Sequence, residues 1–200
     1  MKVDPTGAKV LYSVIVGAGQ PVAMALDAAG EAFVAGTQAA ADFPITSGAV
    51  AATGSCFLFK LNAAGNSLVY STRLGCQGAD SIAAGGLAID AAGNAYLTGY
   101  GHIATSPAVY QTSGFGPFAM KANAQGTALV YSTYLPGAST NMTSASPAAI
   151  TVDAAANAYI TGSADGAERA AILLRVAHRV QENLEVSGAA PVLAQLACYH

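Results

Sequence analysis

The chain has 200 residues, of which 53% are hydrophobic and only 10% are charged, with a formal net charge of −3 at pH 7. This composition excludes a disordered chain, and the net charge gives no electrostatic basis for binding nucleic acid. No stretch has the roughly 20 unbroken apolar residues of a membrane span, and the first residues lack a signal-peptide core. We predict a folded protein with no nucleic-acid partner and no membrane span.

The first residues already belong to a repeating pattern. Met1–Gly7 aligns with Phe59–Gly65, and Val10–Ser13 aligns with Leu68–Ser71, so the chain opens on the second half of a repeat. A fixed period of this kind is typical of stacked or ring-like repeat architectures. The period, which separates Asp27 from Asp90 and Asp90 from Asp153, is longer than the ~40–50 residues of the commonest propeller repeats.

Each full period contains four short patterns typical of β-strands, with glycine-rich turns and no helical periodicity between them. The predicted strands are Val22–Asp27, Glu31–Thr37, Cys56–Asn62 and Leu68–Leu74, then Gly86–Asp90, Asn94–Tyr100, Phe118–Asn123 and Leu129–Leu135. Both faces carry apolar side chains, as with Phe57 and Phe59 opposite Leu58, so we expect each sheet to be covered on both sides.

One turn motif returns three times, in Leu26–Gly36, Ile89–Gly99 and Val152–Gly162. Its aspartate is predicted to cap the turn with its carboxylate, and its glycine to supply a positive φ. Ala156 replaces that glycine in the third copy, so we expect backbone strain of about 1 kcal/mol there. The aspartates recur too far apart to form one Ca²⁺ site, which needs six to eight close oxygens.

These pieces together resemble the bacterial SBBP repeat, a family named for a predicted seven-bladed β-propeller. The resemblance covers residues 1 to about 177 and is carried by five motifs in the same order. They are Asp27–Gly30, Ala95–Gly99, Asp42–Ala49, Phe59–Asn62 and Leu68–Thr72. The second copy lacks the Asp-Phe-Pro piece. The resemblance implies an all-β propeller from an often exported bacterial protein, which favours an extracellular or cell-envelope location, but it implies no enzymatic activity.

The predicted architecture is a partial β-propeller of four-stranded blades, with two complete blades flanked by half blades. The array comprises residues 1–177: a half blade at 1–15, blades at 16–75 and 80–136, and a partial blade at 145–177. Residues 178–200 form a divergent tail. For the end of the chain three alternatives stay open: a short C-terminal helix, a degenerate strand at Ile172–Val176, or disorder.

Closing a ring takes about four to eight blades, more than this chain supplies. We favour a fragment of a longer propeller. The alternatives are self-association of two chains to close a six-bladed ring, and an open arc with exposed strand edges.

The cysteines are three, Cys56, Cys76 and Cys198. An odd, sparse set is not a disulfide framework, so we predict free buried thiols rather than a Cys56–Cys76 bridge. Lys60 and Lys121 occupy matching strand positions and are predicted to be solvated or snorkelling. No metal or cofactor motif is present, and we predict none.

The long loops between the second and third strand of each repeat are the predicted ligand-binding surface, since repeat proteins bind through loops on one face. The exposed candidates are Asp42, Phe43, Pro44, Tyr100, His102, Tyr110, Gln111 and Phe115. We expect a noncatalytic scaffold that binds a protein or polysaccharide. The alternatives are a propeller hydrolase or lyase, built from Asp42, Asp80 and His102, and a truncated product with no independent activity.

Overall fold

A computed structural model describes residues 1–50, 53–77, 80–135 and 146–163. This part of the chain is all-β and consists of short strands separated by turns and loops. The strands are β1 (Lys2–Val3), β2 (Val10–Tyr12), β3 (Gln20–Leu26), β4 (Ala32–Thr37), β5 (Phe57–Leu61), β6 (Leu68–Arg73), β7 (Ser81–Ile89), β8 (Ala95–Gly101), β9 (Gly116–Ala122), β10 (Leu129–Tyr134), β11 (Ser146–Val152) and β12 (Ala158–Ser163). The bounds of the eight strands predicted by residue range differ from the observed ones by at most two residues, except that β7 begins at Ser81, five residues before the predicted Gly86. The alternatives for the end of the chain lie outside the described residues.

Strand order follows chain order inside each repeat. Strands β3-β4-β5-β6 form a four-stranded antiparallel sheet, which we call the first sheet. Strands β7-β8-β9-β10 repeat this arrangement as the second sheet. Strands β1-β2 form the N-terminal hairpin, and β11-β12 form the terminal hairpin, which joins the second sheet where Ala149 pairs in parallel with Gly85 of β7.

The three copies of the aspartate turn have the same backbone setting. In each copy the aspartate amide donates to the carbonyl four residues on, as Asp90 does to Asn94 at 3.1 Å. Its Oδ1 accepts two backbone amides, those of Ala92 at 3.0 Å and Asn94 at 2.9 Å in the second copy. The predicted capping role is therefore confirmed.

The third copy of this turn keeps its shape without glycine. Gly30 and Gly93 have φ values of 77° and 83°, and Ala156 has a φ of 64°. A left-handed backbone brings the Cβ of an L-residue close to the following carbonyl oxygen, at a cost of roughly 1–2 kcal/mol. The predicted strain at Ala156 is thus present, and the hydrogen bonds of Asp153 hold the turn against it.

The sheets stack face to face around three apolar layers. Phe33 and Leu58 on one face of the first sheet pack with Leu97 and Met120 of the second sheet. The opposite face of the second sheet, including Tyr96, packs on the terminal hairpin. The other face of the first sheet carries a third, smaller layer that includes Phe43, Phe57 and Phe59. Apolar faces of sheets are stabilised by such stacking, because it removes their surface from water.

The prediction of free thiols at Cys56 and Cys76 was wrong. The two residues form a disulfide with a Cα–Cα distance of 5.3 Å. Cys56 immediately precedes β5 and Cys76 follows β6, so the pairing of these neighbouring strands brings the thiols together. The cysteine count and spacing did not favour this bridge, because 20 residues separate the two cysteines and only the strand register makes them adjacent. Cys198 lies outside the described residues.

Candidate functional site

Three of the predicted ligand-binding residues converge where β8 ends and β9 begins. The rings of Tyr100 and Phe115 meet edge to face, with centroids 5.1 Å apart. The His102 ring also contacts Phe115, with the two ring centroids 4.4 Å apart. We call Tyr100, His102 and Phe115 the ring cluster. The ring cluster forms because the antiparallel pairing of Gly101 with Gly116 brings together the two ends of a long loop.

A buried carboxylate lies beneath the ring cluster. Asp80 is 7% exposed, and its Oδ1 is 3.6 Å from Nδ1 of His102, whose side chain is 57% exposed. The Gln77 amide donates to Asp80 Oδ2 at 2.6 Å. Asp80 also lies so close to Gly101 that a side chain there would clash with it. The site therefore combines apolar rings, one exposed imidazole and one fixed acid.

Two other candidates on the same loop lie outside the ring cluster. Tyr110 is 62% exposed, and its ring contacts no other described ring. Gln111 is half-buried, and its backbone N–H donates to Thr133 Oγ1 of β10 at 3.1 Å. Tyr110 is exposed but separate from the ring cluster, whereas the backbone of Gln111 holds the loop to the sheet.

The first repeat does not build a similar site. Phe43 is only 4% exposed and stacks on Phe57 at 4.5 Å, so its predicted exposure was wrong. Pro44 is half-buried, and its carbonyl accepts the Ser71 hydroxyl at 2.7 Å. Asp42 is exposed and forms no ion pair with any described residue. The Asp-Phe-Pro piece therefore anchors its loop to the sheet through Phe43 and Pro44.

The lysines predicted to be solvated are buried and paired. Lys60 is 9% exposed and contacts Asp27 at 3.1 Å and Glu31 at 2.5 Å. Lys121 is 3% exposed, 3.4 Å from Asp90 and over the Tyr96 ring at 4.6 Å. Neither lysine could be recognised from local alternation alone. Its partner comes from a turn that the register places alongside it.

These pairs control the charge of the turn aspartates. Burial alone would raise the pKa of Asp90, but hydrogen bonds from Asn94 and Tyr96 and the charge of Lys121 lower it below 3.8. Burial alone would also raise the pKa of Asp27. Hydrogen bonds from the Glu31 backbone and the Lys60 side chain outweigh that effect, so the pKa of Asp27 is lowered as well. Both aspartates are satisfied structural ions, which leaves them no free oxygen for catalysis.

Two anchoring side chains were missed by the sequence analysis. Arg73 is 6% exposed and donates to the carbonyls of Ala40 and Gly54, the latter at 2.6 Å. The matching residue of the second repeat is Tyr134, whose hydroxyl accepts the Ile103 amide at 3.0 Å. Both tie the long loop of their own repeat to its last strand. The sequence signal was weak because the two residues share no chemistry.

No set of three or more histidine, cysteine or acidic side chains able to hold a metal ion occurs within the described ranges. Within those ranges, too, no helix has the length and apolar character required to cross a membrane. No protein-family model matches the sequence, and no curated protein matches it either. The SBBP resemblance therefore stays a prediction.

Proposed function

We propose that this chain is a noncatalytic repeat scaffold of the β-propeller type that binds a polysaccharide through its ring cluster. The observation that carries the binding proposal is the convergence of Tyr100, His102 and Phe115 above the buried Asp80. A set of apolar rings with a few oriented polar groups is the usual composition of a ligand site.

Support for the propeller type comes from the way the sheets repeat. Each sheet is a four-stranded meander, and consecutive sheets pack face to face. Their first strands are neighbours, since β11 pairs in parallel with β7. First strands side by side and sheets arranged around them are features of propeller blades.

A saccharide fits the ring cluster better than a protein partner does. Sugar rings present apolar C–H faces that pack on aromatic rings, and hydroxyls that hydrogen-bond to carboxylate and imidazole groups. A stable protein interface needs about 800 Å² on each partner, which is far more than three side chains supply.

A glycan array followed by calorimetry tests this proposal. Phe115→Ala removes the ring that contacts both others and is expected to weaken binding roughly tenfold or more. Tyr110→Ala is the matched control, since it removes an exposed tyrosine of the same loop outside the ring cluster. Equal affinity of the Phe115→Ala variant and the unmodified chain would contradict the proposal.

The pairing of Asp80 with His102 favours a second candidate, a hydrolase or lyase acting at this site. An aspartate that orients a histidine is a common part of acid–base catalysis. Asp42, the third group considered, forms no ion pair with His102 among the described residues. If His102→Gln abolishes cleavage of a bound glycan without abolishing binding, the catalytic function is the correct one.

The third alternative, a truncated product without independent activity, is distinguished by thermal unfolding. A cooperative transition of the purified chain, monitored by circular dichroism, argues for an independently folded scaffold. A broad, non-cooperative melt would favour the truncated product.

A further inference from the structure

An open apolar groove runs along one face of the first sheet. It has a volume of about 470 Å³ and is lined without any charged side chain. Its walls include Tyr12, Ile15, Met24, Val34, Phe57 and Phe59. Ile15 is 93% exposed and Met24 is 67% exposed. Such a surface is costly in water and marks an interaction site.

The matching face of the second sheet is fully covered. Leu87 is the counterpart of Met24 and is only 8% exposed. Phe118, the counterpart of Phe57, and Met120, the counterpart of Phe59, are buried against the first sheet. The groove is thus one half of an intersheet contact that exists elsewhere in the same chain.

The opposite end of the described structure presents the other half of that contact. Thr161, on the outer face of the terminal hairpin, is exposed. Its counterparts are Ala35 in the first sheet and Thr98 in the second, and both are 0% exposed. In those sheets this face packs on the sheet that follows, so the terminal hairpin carries a face shaped to pack on a groove.

The N-terminal hairpin marks where an occupant of the groove would lie. Tyr12 packs against Gly65 as Tyr70 packs against Gly126, so β1 and β2 occupy the places of the third and fourth strands of a sheet. The groove adjoins β1 and β2 at the place where the first and second strands of that incomplete sheet would lie. The terminal hairpin consists of a first and a second strand, and β12 is an edge strand of the described sheet.

Charges agree with this placement. Lys2 is the counterpart of Lys60 and Lys121, each of which pairs with a turn aspartate. Lys2 is exposed and makes no ion pair with a described residue. Asp153, the third turn aspartate, also has no lysine partner there. Among the described residues, Lys2 and Asp153 are therefore the two members of the repeated ion pair that lack a partner.

We propose that the groove binds the terminal hairpin of a second copy of this chain, head to tail. Strand β12 of the second copy pairs antiparallel with β1, with Ala158 opposite Val3, as Ala95 lies opposite Ala122 in the second sheet. Lys2 then reaches Asp153 of the second copy. The described strands of two copies supply six sheets, within the four to eight that close a propeller. The inference rests on the proposed propeller architecture but not on glycan binding.

Sedimentation equilibrium of the full chain, at concentrations up to about 1 mM, tests this proposal. The expected mass is twice the 19.8 kDa of one chain. Met24→Glu in the groove and Thr161→Glu on the terminal hairpin each place a charge in the interface, which is expected to weaken association roughly 100-fold. Val69→Glu is the matched control, because Val69 and its counterpart Val130 are exposed at 48% and 39%. Urea midpoints are compared at a concentration at which the unmodified chain is a monomer, because association itself would raise the midpoint; equal midpoints there show that folding is intact.

Mixing the two interface variants tests the direction of association. Each variant keeps one intact half of the contact, so an equal mixture of Met24→Glu and Thr161→Glu chains is expected to form a heterodimer that neither forms alone. A groove-to-groove dimer would instead leave Thr161→Glu chains fully associated and would overturn the proposal.

A cysteine pair tests the register. Val3→Cys with Ala158→Cys is expected to form an intermolecular cross-link on mild oxidation, whereas each single variant should not. A mass of one chain at every concentration would overturn the proposal. It would mean that the groove is covered by residues 164–200 of the same chain or by a further repeat of a longer protein.

Discussion

The first and second sheets have the same backbone plan but stabilise it with different side chains. Lys60 contacts two acids, Asp27 and Glu31. Among the described residues Lys121 contacts one acid, Asp90, which also accepts a hydrogen bond from Tyr96. The Tyr96 hydroxyl shares its one hydrogen between Asp90 Oδ2 at 3.0 Å and the Ala156 carbonyl at 3.2 Å and so links two repeats, which Phe33 at the matching position cannot do. The repeat therefore specifies a buried cation beside the turn, and each copy neutralises it in its own way.

The largest expected difference comes from removing the turn aspartates. Asp90→Ala leaves Lys121 buried without an anion and is expected to cost about 3–5 kcal/mol of unfolding free energy. Asp27→Ala should cost only about 1–2 kcal/mol, because Glu31 still neutralises Lys60 and mainly the turn cap is lost. Urea denaturation measures both. Asp4→Ala, which removes a similar exposed turn carboxylate without a lysine, is the control. Equal losses for the two aspartates would contradict this comparison.

The disulfide is a feature of the first sheet alone, since Pro117 occupies the position of Cys56 in the second. Replacing both Cys56 and Cys76 with alanine is expected to lower the unfolding free energy by about 3 kcal/mol, because the bridge no longer restricts the unfolded chain. Thermal unfolding with and without a reducing agent provides the measurement. The unmodified chain should lose stability on reduction, and the double variant should not respond. If the double variant also lost stability on reduction, the disulfide would not be the cause of the loss in the unmodified chain.

The turns that link the first two strands of each repeat offer a smaller and reciprocal test. Gly93→Ala is expected to destabilise the chain by about 1 kcal/mol, and Ala156→Gly to stabilise it by a similar amount, because only glycine adopts a positive φ without strain. Gly30→Ala is the control for sterics, since a Cβ at Gly30 would meet its nearest neighbour at 4.0 Å. Urea midpoints measure all three. A loss of stability in Ala156→Gly would show that the strain is absent.

The smallest effect is on the acid side of the stability profile. The folded chain lowers the pKa of Asp27 and of Asp90 below 3.8, so both bind fewer protons folded than unfolded. Their stabilisation is complete above pH 3.8 and is lost as the pH falls through the lower folded values. Asp90→Asn should flatten this acid decline. Asp42→Asn, which removes an exposed unpaired carboxylate, should leave it unchanged. Urea denaturation at several pH values measures the acid decline of both variants. An unchanged decline in Asp90→Asn would contradict the expectation.

Local patterns predicted the strands and turns closely. Alternation placed Phe57 and Phe59 on one face and Leu58 on the other, and the stacking of the sheets agrees. The same patterns failed for Lys60, for Phe43 and for the cysteines. Each of these depends on a neighbour from another strand or loop, and no period along the chain encodes that neighbour. The ring cluster was predicted only as separate residues, because its convergence depends on the pairing of β8 with β9.

The sequence by itself determined the unit of this protein: four short strands and an aspartate turn that carries glycine in two of its three copies. These follow from side-chain alternation and from the φ angles that glycine allows, which are local properties. The tertiary structure alone decided which charges are buried, which cysteines are joined and which sheet face stays open. Those outcomes depend on strand register and sheet stacking, which bring together residues that are far apart in the chain.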